Sequence, residues 1–205
     1  LRSVLDNELG LNELAEPLFG CLTCNCCVDH CPSGVITDEI VLRARAQLLK
    51  EQGQPWIQKF VFNKLLPNPT RLQRLARFMG WVQASGLQSV ARAIGFTKLL
   101  RDVGKAESML PPVPFKHHMT SISSPKLEQP KYRVAYFVGC AGINITPQVA
   151  NAAVRVLNKH YTEVVMPDFC CCGMPAYGYG DVESTITMAR KNIDLARSLE
   201  VDAII

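Results

Sequence analysis

The stretch Cys21–Gly34, "CLTCNCCVDHCPSG", places five cysteines in eleven positions and then a proline. Cys21, Cys24, Cys27 and Cys31 fit the run C-x2-C-x2-C-x3-C-P without adjustment. Such short spacings let one tight loop aim successive sulfurs at a single small inorganic core, and thiolates are the soft ligands that suit iron–sulfur clusters. Pro32 turns the chain away and removes a backbone donor. Asn25, Ser33 and Gly34 bring the small or turn-forming chemistry that a wrapped loop requires. Structural zinc usually takes two C-x2-C pairs separated by a longer insert, so the spacing favours a [4Fe–4S] cluster on Cys21, Cys24, Cys27 and Cys31. Cys26 falls off the pattern and receives no ligand role. His30 sits inside the loop, where it can hydrogen-bond a sulfur or simply face water.

Two assignments stay open for the fourth cysteine. In two-cluster ferredoxins the last cysteine of each run ligates the other cluster. Cys31 then serves a cluster whose run precedes Leu1, and Cys21, Cys24 and Cys27 need an upstream ligand. Without a second run, all four bind one cluster. The chain starts at Leu1 and stops in the apolar run "VDAII", so both ends read as cut. That favours the first assignment and places any leader or further domain outside this sequence.

The nine cysteines among 205 residues are confined to positions 21–31, 140 and 170–172. A secreted disulfide framework spreads its cysteines and pairs them. The adjacent thiols Cys170, Cys171 and Cys172 cannot easily cross-link to one another. Reduced, cytosolic, metal-binding thiolates are the expectation. No stretch is apolar and long enough to span a bilayer, and no secretory leader opens the chain. The net charge of +4 conceals an asymmetry: residues 1–42 hold seven acidic side chains and one basic, whereas 43–104 hold eleven Lys or Arg against Glu51 and Asp102. A basic helical stretch can meet an acidic partner, anionic lipid or nucleic acid, or form a solvated face. The solvated face is the simpler reading, including for Arg71, Arg74 and Arg77.

Away from the cysteine loop, the first half reads as helical. Helices are expected over 3–19, from a cap at Thr37 or Asp38 to Gln52, over 56–65, over 70–84 and over 87–103. Residues 105–131 hold five prolines and read as a linker, with His117–His118 as an exposed pair. The pattern then changes. "YRVAYFV" at 132–138, "TEVVM" at 162–166 and "VDAII" at 201–205 read as strands. Between them fall a helix starting at Thr146–Pro147 and one capped by Asp181, with Ile186, Ala189, Ile193 and Ala196 on its apolar face. "GYGD" at 178–181 is a turn and cap, since no Lys-Ser/Thr follows to make a phosphate loop. Strand and helix alternate, which gives a parallel sheet with helices packed on it. The fold class is therefore α followed by α/β: a helical iron–sulfur module at 1–104, a Pro-rich linker at 105–131 and an incomplete α/β domain at 132–205.

Cys140, in "GC" at 139–140, follows the first strand, and "CCCGMP" at 170–175 follows the second. Both groups emerge at carboxyl ends of parallel strands, where open α/β sheets build their sites. Gly139, Gly142 and Gly173 allow close backbone approach. A lone cysteine there would be packing, but three in a row beside Gly-Met-Pro point to metal or redox chemistry.

With "CLTCNCCVDHCPSGV" followed by helices and then "GC…CCG.P", the chain resembles the iron–sulfur subunit of glycolate oxidase and its relatives. These are the iron–sulfur subunits of lactate and anaerobic glycerol-3-phosphate dehydrogenases and the heterodisulfide reductase subunits. The resemblance implies a ferredoxin-like module followed by cysteine-rich CCG domains. By position, Cys21, Cys24, Cys27 and Cys31 match the ferredoxin ligands, and Cys140, Cys171 and Cys172 match the CCG cysteines; Cys170 is extra. The family's upstream ferredoxin run is absent here. The C-x-x-C pair that normally completes the CCG motif would lie past Ile205.

The resemblance implies an electron-transfer subunit of an oxidoreductase. A flavoprotein partner would oxidise glycolate, lactate or glycerol-3-phosphate, and electrons would pass through one or two [4Fe–4S] clusters to a quinone or a disulfide. The CCG cysteines would hold a second cluster or act as redox thiols. Neither flavin nor nucleic acid is expected on this chain. The implied location is cytoplasmic, at most peripheral at the inner face of the cell membrane. Two alternatives remain: a heterodisulfide reductase-type subunit with thiol–disulfide chemistry in the CCG domain, and a non-redox structural metal-binding module that meets nucleic acid through 43–104. No Ser–His–Asp constellation and no dinucleotide fingerprint is present.

Overall fold

The computed structural model describes residues 4, 6, 8–86, 113, 130–160 and 162–205. The helix expected over 87–103, nearly all of the linker and the His117–His118 pair lie outside the described residues. The chain divides by contacts into two compact units, Leu1–Pro67 with Cys172–Arg190 and Asn68–Cys171 with Lys191–Ile205. In chain order the helices are α1 (Ala15–Gly20), α2 (Cys26–Asp29), α3 (Thr37–Gln52), α4 (Trp56–Phe60) and α5 (Pro69–Ala84). Strand β1 (Tyr132–Ala135) follows, then α6 (Gly139–Asn144), α7 (Pro147–Lys159) and β2 (Thr162–Val165). The chain continues through α8 (Met174–Gly178) and α9 (Val182–Arg197) to β3 (Ala203–Ile204).

The first unit is helical. Where a helix over 3–19 was expected, a 3-10 turn at Leu11–Leu14 leads into the short α1, because Gly10 is extended at φ −74°, ψ 145°. Pro17 is tolerated in α1 because the first-turn N–H groups have no intrahelical partner. Helix α3 starts at Thr37 without the expected cap from Thr37 or Asp38: the cap position falls on Ile36, whose side chain has no acceptor, and the Thr37 hydroxyl donates to the Val35 carbonyl. It ends as expected at Gly53, whose φ of 76° is the left-handed conformation that glycine adopts freely. The 56–65 helix is α-helical for one turn and then continues as a π-type turn over Val61–Leu65. Leu18 of α1 packs with Val41 and Ala44 of α3, and Leu11, Leu14 and Cys21 close around them. Burying one such Leu side chain contributes roughly 1.5–3 kcal/mol.

The second unit holds the sheet. Strands β2, β1 and β3 lie in that order and are parallel, with Val134 opposite both Val164 and Ala203. Helix α7 buries Ala150 and Val154, and Val154 joins Val134 and Val164 in the core. Pro147 starts that helix by its fixed ring geometry, and Thr146 makes no side-chain cap bond. Helix α5 does have a cap: the Arg71 N–H donates to Asn68 Oδ1 at 3.1 Å, with Pro69 in the first turn.

Helix α9 departs from its expected face. Ile186 and Ile193 are exposed, and Ser184, Met188 and the half-buried Asn192 lie inward at i, i+4, i+8. Polar side chains win this face because each is hydrogen-bonded. The Ser184 hydroxyl donates to Asp181 Oδ2 at 2.7 Å, and Asn192 bonds the backbone at Cys170 and Cys171. Asp181 caps α9 as read from the sequence, accepting the Ser184 N–H at 3.0 Å.

Candidate cysteine sites

The 21–34 loop turns on three residues of positive φ, Thr23 at 50°, Asn25 at 62° and Gly34 at 65°. Asn tolerates that conformation better than most residues, and here it launches α2. Cys24, Cys26 and Cys27 are exposed, and Cys21 and Cys31 are half-buried. Backbone N–H groups point at the sulfurs. Thr23 N–H donates to Cys21 Sγ at 3.4 Å, and Val35 N–H donates to Cys31 Sγ at 3.3 Å. The Val35 N–H, aided by those of Ser33 and Gly34, draws the Cys31 thiol below its ordinary pKa. The Cys26 N–H and then the Cys26 thiol do the same for Cys24, and Cys26 is pushed up in return. Cys26, off the ligand pattern, thus acts on a cysteine that is on it. His30 does not reach a sulfur; its Nδ1 donates to the Cys26 carbonyl at 2.9 Å.

Among the described residues, no three His, Cys, Asp or Glu side chains stand together as a ready-made ion site. The fit of Cys21, Cys24, Cys27 and Cys31 to an iron–sulfur cluster rests on their donor chemistry. They are four thiols in one loop, and three of them receive backbone N–H groups.

In the second unit, Cys140 opens α6 just after β1, and Cys170 and Cys171 lie just after β2. The sheet brings Cys140 and Cys171 together, with Sγ atoms 3.6 Å apart. Cys171 is 1% exposed and Cys170 is buried, whereas Cys172 is exposed and falls in the first unit. Burial pushes the Cys170 thiol above its ordinary pKa. Asn192 holds this backbone: it accepts the Cys170 N–H at 2.9 Å and donates to the Cys171 carbonyl at 3.2 Å and the Cys170 carbonyl at 3.4 Å. The cavity bordering Cys140 and Cys171 has a volume of about 10 Å³, room for about one water. In the first unit, Gly173 stands at φ 92°, and a Cβ there would lie 3.1 Å from Thr185 Cγ2.

Sequence reading missed two residues, Asn192 and Arg45. The Arg45 side chain is buried and donates to the carbonyls of Leu18, Cys21 and Gly178. A signal for it existed: Arg45 falls between Val41 and Leu48 at the i, i+4, i+7 spacing of a buried face. A cavity of about 410 Å³ in the same unit is lined by Phe19, Leu48, Gln52, Gln54 and Gln58 among others, and no cysteine borders it.

Residues 53–110 match the family model described as the linker region of the glycolate oxidase iron–sulfur subunit, and residues 134–205 match the cysteine-rich domain. Over both stretches the chain is similar to this family of iron–sulfur subunits. It is 29% identical to the probable glycolate oxidase iron–sulfur subunit of Bacillus subtilis, over all of this chain and 48% of that protein. It is 28% identical to the glycolate oxidase iron–sulfur subunit of Escherichia coli, over 95% of this chain and 44% of the relative. A subunit of the dihydromethanophenazine:CoB–CoM heterodisulfide reductase of Methanosarcina acetivorans is 26% identical over 92% of this chain and 38% of its own length. The chain thus spans about half the length of the curated relatives it matches, or less. No solved structure matches it. Among the described residues, no helix is long and apolar enough to cross a membrane.

Proposed function

We propose that this chain is an electron-transfer subunit that binds a [4Fe–4S] cluster through Cys21, Cys24, Cys27 and Cys31. The reading places the cluster in a helical ferredoxin-like module at 1–104, joined by the linker at 105–131 to the CCG domain at 132–205. The carrying observation is the loop itself: four thiols at cubane spacing, with N–H groups donating to Cys21 and Cys31 at 3.4 and 3.3 Å. Donors aimed at a sulfur stabilise negative charge there, which favours the thiolate needed for ligation and raises the reduction potential. When bound, such a cluster accepts and releases one electron at a time, which divides the two-electron output of a flavin.

A flavoprotein partner oxidises glycolate, lactate or glycerol-3-phosphate, and a quinone or disulfide takes the electrons. This chain carries no flavin, binds no nucleic acid and works in the cytoplasm, at most peripherally at the inner membrane face. The relatives' names support the oxidoreductase class. Purification of the native complex tests the proposal. A co-purifying flavin subunit with hydroxy-acid-dependent dye reduction supports it, and a chain free of iron and acid-labile sulfide sinks it.

A second reading is favoured by the 3.6 Å approach of Cys140 and Cys171. It gives the CCG domain thiol–disulfide chemistry, in which two thiols become one disulfide and pass two electrons and two protons to a substrate disulfide, which is cleaved to two thiols. A cavity of about 10 Å³ suits a thiol pair better than an inorganic cluster held by these two sulfurs alone. Disulfide reduction by a complex without hydroxy-acid activity would favour this reading over the first.

A further inference from the structure

Arg45 is the strongest polar feature outside the cysteine sets. Its side chain is 4% exposed, yet among the described residues no carboxylate pairs with it. Its charge is met by backbone oxygens instead. Nε donates to the Leu18 carbonyl at 3.0 Å, Nη1 donates to the Gly178 carbonyl at 2.6 Å, and Nη2 donates to the Leu18 and Cys21 carbonyls. Leu18 and Cys21 mark the end of α1, and Gly178 ends α8, so one cation answers the negative ends of two helices. The Phe19 ring covers the guanidinium, with its centroid 5.2 Å from Cζ. The backbone is equally close: a Cβ on Gly180 would lie 2.7 Å from the Arg45 carbonyl carbon and the Ala46 nitrogen. Nothing but glycine fits there, so the turn after α8 sits directly on α3.

We propose that Arg45 is a positioning residue of the cluster loop. It fixes the peptide of Cys21, keeps a buried positive charge on the Cys21 carbonyl, and fastens this end of the loop to the segment that begins at Cys172. This inference rests on the reading that Cys21, Cys24, Cys27 and Cys31 hold a cluster. A nearby fixed cation favours the more negative, reduced form of a cluster, and a planar fork holds several carbonyls at once where an ammonium cannot.

The test compares wild type, Arg45→Gln and Arg45→Lys in the full-length, anaerobically prepared protein. It uses iron and sulfide content, redox titration followed by electron paramagnetic resonance, and amide exchange over residues 18–24. Arg45→Gln is expected to shift the midpoint potential negative and speed exchange at Cys21. Arg45→Lys is expected to restore most of the potential while exchange stays fast, which separates the charge from the fork. A glutamine variant with full iron content and the wild-type potential and exchange overturns the proposal. Should the glutamine variant not accumulate folded, the lysine variant decides, and wild-type exchange in it overturns the proposal. Wild-type protein without iron overturns the underlying cluster reading instead.

Discussion

Cys24 and Cys27 stand exposed in a loop whose sulfurs are met by backbone N–H groups, whereas Cys170 and Cys171 are buried and Cys171 meets another sulfur, that of Cys140. The first arrangement exposes its thiols and sets backbone N–H groups on Cys21, Cys24 and Cys31. The second penalises charge by burial at Cys170 and brings the Cys140 and Cys171 sulfurs into van der Waals contact. One chain thus prepares sulfur in two ways, by hydrogen-bonding it open and by packing it closed. The difference teaches that cysteine spacing alone does not set chemistry; the dielectric around each thiol does.

The contrast can be broken most severely at the open loop. Cys27→Ser is expected to abolish nearly all iron binding there, whereas Cys140→Ser leaves that iron in place, as acid-labile sulfide and iron analysis would record. Equal loss in both variants would erase the distinction. Next come two inward side chains of α9. Met188, fully buried, should cost roughly 2–5 kcal/mol of unfolding free energy when changed to Ala, measured by denaturant titration. Asn192→Ala removes the bonds that hold the Cys170–Cys171 backbone and should cost about 1–3 kcal/mol. It should also speed alkylation of Cys171, seen by mass spectrometry, while Cys24 reacts as before. The smallest effect concerns pH. Burial keeps Cys170 protonated in the folded chain at pH values where an unfolded thiol has ionised. Stability should therefore fall slightly as pH rises through the ordinary thiol range, and Cys170→Ala should flatten that slope.

How much of this was legible depends on how local each cause is. Gly53 ends α3 where it was read to, because a left-handed glycine acts on its own residue. The parallel pairing of β1 with β2 followed from alternating element type, and it carries Cys140 to Cys171. Arg45 and Asn192 were not read because their partners are backbone groups, which no residue type announces, and Gly178 lies far along the chain from Arg45. The exposed Ile186 and Ile193 show the converse: apolar periodicity pointed to one face of α9, and hydrogen-bonded polar side chains took the other inward. The 3-10 turn before α1 was hidden for a similar reason, since Gly10 breaks a run that its leucines would otherwise extend.

The central claim is that the four spaced thiols of the 21–34 loop carry an iron–sulfur cluster. Iron and sulfide analysis of anaerobically reconstituted protein, paired with electron paramagnetic resonance of the reduced form, tests it most directly. The account predicts about four irons and four sulfides per cluster with a reduced-cluster signal, lost when Cys24 and Cys27 are both changed to Ser. Iron-free wild-type protein, or a signal that survives that double change, would contradict it.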